Sequence, residues 1–175
     1  MWLGGWVMSE AISDTGPILH LHEISQLSVL GAFERLSVPG LVADELNAYG
    51  LDIAYLEKQG INLPIVSVSE TDRKQALAES NERPIHPADA EVLVLARNAG
   101  FRKTVLTDDL ALRRRLETHG AVVTGTVGVL VRAYKMGRLE RGDLESAIDA
   151  LFDKSTLHLS RAFRAYVRRL VTDLP

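Results

Sequence analysis

The sequence contains no cysteine among its 175 residues. This absence excludes thiolate nucleophiles, zinc–cysteine sites and disulfide bonds, and it fits a reducing cytosol, so we expect a cytoplasmic protein. Apolar residues form no run near the ~20 residues that a membrane-spanning helix needs. The apolar opening, residues 1–8, has no basic start and no small-residue cleavage site, which argues against a secretory signal peptide.

A strong excess of charge is also missing, because the formal net charge is −3 with 25% charged and 46% hydrophobic residues. This composition is typical of a globular domain and argues against disorder. The length suits one domain, which we place at residues 8–175, with residues 1–7 as an upstream extension. Since the chain is not basic overall, any nucleic-acid role would need a local basic patch or metal ions.

Short apolar segments alternate with helical segments along the chain. The predicted strands are 11–13, 36–39, 65–68, 104–107 and 121–124. The predicted helices include 17–24, 41–48, 52–59, 71–81, 87–99, 108–119 and 126–136, followed by two helices without strand partners at 141–152 and 160–171. No two-residue hairpin turn separates neighbouring strands. The alternation therefore predicts an α/β fold, a three-layer α/β/α sandwich with a central, mostly parallel sheet and extra C-terminal helices.

Acidic residues follow two of the predicted strands. Asp14 ends the first strand, and Pro17 then opens a helix, a position where its missing N–H costs nothing. Asp108 and Asp109 follow strand 104–107 in the same way. Open α/β sheets place their chemistry at the carboxyl ends of strands, although either position also suits a helix cap. Asp108 is the better cap by position, which leaves Asp109 freer for other work.

Two further acids lie on predicted helices. Asp89 stands in the first turn of helix 87–99 and shares a face with apolar residues three, four and seven positions later, whereas Glu91 should point elsewhere. Favourable placement in the helix dipole explains an acid in the first turn, but it does not explain why that acid shares the apolar face. Glu45, on helix 41–48, would by itself be taken for a surface residue.

A parallel sheet would bring these elements together, so that four carboxylates converge at one edge. Carboxylates at such short distances repel one another and raise one another's pKa, so the cluster costs stability unless cations occupy it. Oxygen ligands without cysteine or a histidine pair suit Mg²⁺ or Mn²⁺. A two-metal carboxylate site can activate water and stabilise the leaving oxygen in phosphodiester hydrolysis.

With these motifs the chain resembles the PIN-domain family, small metal-dependent nucleases that include the VapC-type toxins of prokaryotic toxin–antitoxin pairs. Four short stretches carry the resemblance in order: Ile12-Ser13-Asp14-Thr15, Val42-Ala43-Asp44-Glu45-Leu46, Ala88-Asp89-Ala90-Glu91 and Leu106-Thr107-Asp108-Asp109. The second half is similar to a PIN-like branch of prokaryotic proteins through residues 125–130 and 157–160.

The resemblance implies a set of catalytic and metal-binding acids, namely Asp14, Glu45, Asp89 and Asp109. Asp108 is the alternative at the fourth position, and both acids are candidate metal ligands. Thr15 and Thr107 would supply hydroxyls that orient the carboxylates. The implied activity is that of a Mg²⁺- or Mn²⁺-dependent ribonuclease. The implied partners are RNA, a small antitoxin protein and a second copy in a homodimer. We expect no membrane partner, because the chain has no apolar run long enough to span a bilayer.

Two other interpretations stay open. In the first, the fold is a catalytically inactive binding module for a partner protein, and the acids are structural. In the second, Asp14 is an aspartate that accepts a phosphoryl group, as in receiver domains. That chemistry would need a lysine and a hydroxyl nearby, which Lys135 and Thr107 match only loosely.

Overall fold

The computed structural model describes residues 10–80 and 84–175. The predicted upstream extension, residues 1–7, lies outside the described residues. The strands are β1 Glu10–Ser13, β2 Arg35–Pro39, β3 Ile65–Val66, β4 Thr104–Leu106 and β5 Val123–Thr124. The helices are α1 Thr15–Glu23, α2 Gly40–Ala48, α3 Ile53–Lys58, α4 Glu70–Ala78, α5 Pro87–Asn98, α6 Leu110–Thr118, α7 Thr126–Lys135, α8 Arg141–Lys154 and α9 Arg161–Thr172, with a 3₁₀ helix at Leu27–Ala32.

The five strands form one parallel sheet in the order β3-β2-β1-β4-β5. The central strand β1 pairs with β2 through Ala11 opposite Leu36, and with β4 through Ser13 opposite Leu106. Both neighbours therefore run in the same direction as β1, and their carboxyl ends lie at one edge. The predicted α/β/α sandwich with a parallel sheet is confirmed, since helices flank the sheet.

The central strands are buried on both faces. Ala11, Ile12 and Ser13 of β1 are 0–2% exposed, and Val105 and Leu106 of β4 are fully buried. A strand between two helical layers has no solvent face, which is why these segments are apolar runs without polar alternation.

Five helices are followed within two residues by a glycine with positive φ: Gly50, Gly60, Gly100, Gly120 and Gly137. Gly100 illustrates the reason, because it follows the C-cap residue of α5 with φ +61°. A residue with a Cβ pays a steric penalty in this left-handed conformation, and glycine does not.

Helix α5 is buried on nearly all sides, which differs from the prediction of a single buried stripe. Ala90, Glu91 and Val94 are buried together with the expected apolar face. The reason is that α5 packs between the sheet and other helices, with β1 and β2 on one side and α2 and α4 among its helical neighbours. The expectation that Glu91 points away from the interior is therefore wrong, since its side chain is 4% exposed.

The two C-terminal helices, which have no strand partners, pack on other helices. Helix α8 contacts α7 and α1, and its buried residues include Leu144 and Leu151. Helix α9 buries Val167 and Val171. Within residues 10–80 and 84–175, none of the helices combines the length and the apolar character needed to cross a bilayer.

The start of α7 packs so closely on β5 that it requires glycine. A Cβ at Gly128 would overlap Oγ1 of Thr124, whereas one at Gly142, in α8, would meet no atom within 4 Å. We expect Gly128→Ala to destabilise the protein by about 1–2 kcal/mol net, because overpacking outweighs the helix-propensity gain. Gly142→Ala should instead be stabilising by up to ~1 kcal/mol. Denaturant unfolding measures both changes, and equal effects at the two positions would contradict the packing argument.

Candidate functional site

Asp14 stands at the carboxyl end of the central strand. Its backbone N–H continues the ladder to β4, donating to the carbonyl of Leu106 at 2.9 Å. Its side chain caps α1 by accepting from the N–H of Thr15 at 2.7 Å. The residue is only 9% exposed. Strand pairing and helix start therefore hold this carboxylate in one orientation.

Threonine hydroxyls orient two of the acids. The hydroxyl of Thr107, just after β4, donates to Oδ2 of Asp14 at 2.9 Å. The hydroxyl of Thr15 donates to Oε2 of Glu45 on α2. Both threonines are buried, so each hydroxyl links a strand end to a neighbouring element.

Asp89 and His86 lie at the N-terminus of α5. His86 is the N-cap residue, and its backbone N–H donates to Oδ2 of Asp89 at 3.2 Å. The His86 ring turns to α2, where Nδ1 lies 3.2 Å from Oε1 of Glu45. This contact joins the loop before α5 to the acid on α2.

Asp108 and Asp109 follow β4 but do different things. Asp109 is the N-cap of α6 and accepts from the N–H of Leu112 at 2.7 Å. Asp108 turns away and accepts from Nδ1 of His20 at 2.8 Å, and from the N–H of Thr126 at 2.8 Å and its hydroxyl at 2.5 Å. The expectation that Asp108 caps α6 is therefore wrong. Its carboxylate instead joins β4 to α1 and to the first turn of α7.

Four of the five sequence-predicted acids line one open cavity of about 570 Å³, and Asp108 does not line it. We call this the carboxylate cavity. Its lining residues are Asp14, Thr15, Gly16, Leu19, Glu45, Ala48, Tyr49, His86, Asp89 and Asp109. They come from the ends of β1 and β4 and from helices α1, α2 and α5. The parallel sheet thus brings together acids that lie up to 95 positions apart in the sequence.

Burial and mutual repulsion raise the pKa values of two acids in the carboxylate cavity. Burial is the larger cause for Asp14, with the charges of Asp89 and Glu45 adding to it, and the pKa rises to about 6. Burial also raises the pKa of Asp89, to which the charges of Asp109 and Glu45 contribute. Burial would likewise raise the pKa of Asp108, but hydrogen bonds from His20 and Thr126 hold it below its usual value.

Two cavity residues were missed by the sequence analysis. His86 was passed over because histidine is a less common helix cap than serine or aspartate. Its place directly before Pro87 and three residues before Asp89 is the pattern that could have identified it. Tyr49 lies at the end of α2 and is 60% exposed. No sequence pattern distinguished it from an ordinary surface aromatic residue.

The donors that face the carboxylate cavity suit a hard divalent cation. Four carboxylates supply oxygen ligands, the type that Mg²⁺ and Mn²⁺ prefer. Two of them carry raised pKa values in part because of their neighbours' negative charge, which a cation would neutralise. Nowhere in the described parts of the chain do three acidic or histidine side chains already stand in an arrangement that could hold a metal ion. The agreement with a divalent metal therefore rests on donor chemistry and charge.

Comparison with protein-family models identifies the family of this chain. A search among curated proteins found no significant relative. A family model described as a PIN domain matches residues 10–173. This range contains all five strands, all nine described helices and every acid of the carboxylate cavity. Because the match covers nearly the whole chain, this protein belongs to the PIN-domain family and has a nuclease-type fold.

Proposed function

We propose that this chain is a divalent-metal-dependent ribonuclease that hydrolyses RNA phosphodiester bonds. The observation that supports it most is the carboxylate cavity, where four acids from separate elements face one open space. The pKa of Asp14 is raised to about 6 by burial and by its acidic neighbours. If these side chains served only as polar groups at the edge of the sheet, their mutual repulsion would cost stability without any benefit.

Within this proposal, Asp14, Glu45, Asp89 and Asp109 would hold Mg²⁺ or Mn²⁺. When bound, such an ion lowers the pKa of water and stabilises charge on the phosphate. Thr107 and Thr15 keep the carboxylates of Asp14 and Glu45 aimed by donating hydrogen bonds to them. The network around each acid is the kind of support that keeps ligands in a productive geometry.

The rim of the carboxylate cavity supports a nucleic-acid substrate. Tyr49 lines the cavity and is 60% exposed, so its ring is free to stack on an unpaired base, a common mode of single-stranded RNA recognition. Arg114, which follows Asp109 by five residues in the sequence and does not itself line the cavity, is exposed on α6, and arginine is a common phosphate-contacting residue. The resemblance to VapC-type toxins extends the proposal to a toxin that a small antitoxin protein controls and that acts as a homodimer.

Substituting the acids tests the proposed activity. Asp14→Asn and Asp89→Asn should each lower metal-dependent cleavage of a single-stranded RNA by about 10²–10³-fold, the scale of losing one preorganised electrostatic contact. Asp44→Asn is the matched control, because Asp44 neighbours Glu45 on α2 but is exposed and does not line the cavity. Gel-resolved cleavage with Mg²⁺ and with Mn²⁺ measures the rates. Equal rates in the wild type and all three variants would exclude the proposed catalytic role.

The two adjacent acids should separate into a catalytic and a structural residue. Asp109→Asn should lower cleavage without lowering stability, because asparagine caps a helix as well as aspartate does. Asp108→Asn should lower stability by about 1–3 kcal/mol, because it weakens charge-assisted bonds to His20 and Thr126. Parallel cleavage assays and thermal unfolding check this prediction, and the reverse pattern would assign the fourth acid to Asp108.

The raised pKa of Asp14 predicts a stability cost in the metal-free protein. The folded state holds this pKa above the unfolded value of 3.8, so the cost grows as pH rises from 3.8 and is complete above about 6. With a chelator at pH 7.5, Asp14→Asn should therefore be more stable than the wild type by about 1–3 kcal/mol, and by about half as much at pH 5.

Denaturant unfolding with excess chelator at both pH values measures this gain. Asp44→Asn should stay within ±0.5 kcal/mol of the wild type, as is usual for an exposed residue. A gain for Asp14→Asn that does not shrink at pH 5 would show that ionisation of Asp14 is not its cause.

A further inference from the structure

Glu91 is a buried acid that lies outside the carboxylate cavity and has no part in the proposed chemistry. Its side chain is 4% exposed, and each of its two carboxylate oxygens accepts a hydrogen bond. Oε1 accepts from Nη1 of Arg73 on α4 at 2.9 Å, and Oε2 accepts from the backbone N–H of Leu41 on α2 at 2.9 Å. A buried carboxylate with two bonds joins three helices at one point.

The bond to Leu41 replaces a cap that α2 lacks. The N-cap position of α2 is Pro39, whose side chain makes no capping bond. The first N–H groups of a helix have no partner within the helix, and its N-terminus attracts negative charge. The Glu91 carboxylate meets both needs from α5, as a cap supplied by another helix.

The two helices joined in this way carry two of the proposed ligands. Leu41 precedes Glu45 by four residues, so both lie on one face of α2. Asp89 lies two residues before Glu91, in the first turn of α5. The Leu41–Glu91 bond therefore fixes the α2 face that carries Glu45 against the start of α5, which carries Asp89.

We infer that Glu91 is a positioning residue that fixes the segment of α2 carrying Glu45 against the start of α5, which carries Asp89, and thereby supports divalent-cation binding by these two acids, an inference that rests on the proposed function. Arg73 neutralises the buried charge, and the hydrogen bond to Leu41 sets the geometry. The pair Glu79–Arg97 provides a comparison. It also joins α4 to α5, with the Arg97 Nη2–Glu79 Oε2 distance at 2.5 Å, but it is solvent-exposed and does not contact α2.

Charge-matched double variants separate the cap from the ion pair. Arg73→Met with Glu91→Gln removes both charges and keeps an acceptor for the Leu41 N–H. Arg73→Met with Glu91→Met removes the same charges and leaves that N–H without its acceptor. The third variant, Glu79→Met with Arg97→Met, removes the exposed pair as a control.

Calorimetric titration of each folded protein with Mn²⁺ alone, without RNA, measures the dissociation constant. We expect the Gln double variant and the control to bind close to the wild type, and the Met double variant to bind about 10–100-fold more weakly, the range for loss of a residue that supports metal ligands. Hydrogen exchange of the Leu41 amide, resolved by NMR, should show protection in the wild type and in the Gln double variant. If the Met double variant fails to fold, the hydrogen-exchange measurement still tests the inference, because it can be made on the wild-type protein alone.

The outcomes separate the two proposals. Mn²⁺ binding by the wild type that is equal in both double variants would overturn the role of Glu91 and leave the nuclease proposal standing. An unprotected Leu41 amide in the wild type would also overturn that role. No Mn²⁺ binding by the wild type would overturn the metal site, and with it the positioning role.

Discussion

Parallel pairing of β1 with β4 is the constraint on which the candidate site depends. The pairing continues past the end of β1, because the N–H of Asp14 bonds to the carbonyl of Leu106. It therefore places Asp14 beside Thr107, whose hydroxyl donates to the Asp14 carboxylate. One register between two buried strands brings together residues 93 positions apart. Helices α1 and α6 begin at these strand ends and bring their first turns to the same edge.

The fold gathers negative charge at this edge and partly compensates for it. Asp14, Asp89 and Asp109 each accept a backbone N–H at a helix start, a placement that favours an ionised acid. For Asp14 the compensation is incomplete, since burial and the charges of Asp89 and Glu45 together raise its pKa to about 6. The large apolar core supplies the stability that allows such a site to persist. A local cost that the rest of the fold offsets is typical of a functional site.

Several features follow from local sequence rules. The five glycines that end helices, the prolines that open α5 and lie in the first turn of α1, and the apolar runs of β1 and β4 each reflect short-range geometry. Backbone conformation at these positions depends on a few neighbouring residues, and for that reason the order of strands and helices was predicted correctly. The boundaries shifted by a few residues, for example at α4, which ends at Ala78, because helix ends depend on packing and caps.

The adjacent acids Asp108 and Asp109 show where local rules fail. Both follow a strand and precede a helix, and the sequence favoured Asp108 as the cap. His20 on α1 and Thr126 on α7 donate hydrogen bonds to the carboxylate of Asp108 and turn it away from α6. Asp109 caps α6 instead. Glu91 shows the same limit, since its partners Arg73 and Leu41 lie on two other helices.

The sequence by itself determined the α/β class and the parallel arrangement, because these depend on apolar periodicity and turn residues. It also proposed the set of acids, through short ordered motifs that resemble those of a known family. Tertiary structure alone decided which acids share a cavity, which acid caps α6 and why a glutamate is buried in α5. Those outcomes depend on contacts between residues tens of positions apart, and a linear pattern contains no information about which distant donor reaches a given carboxylate.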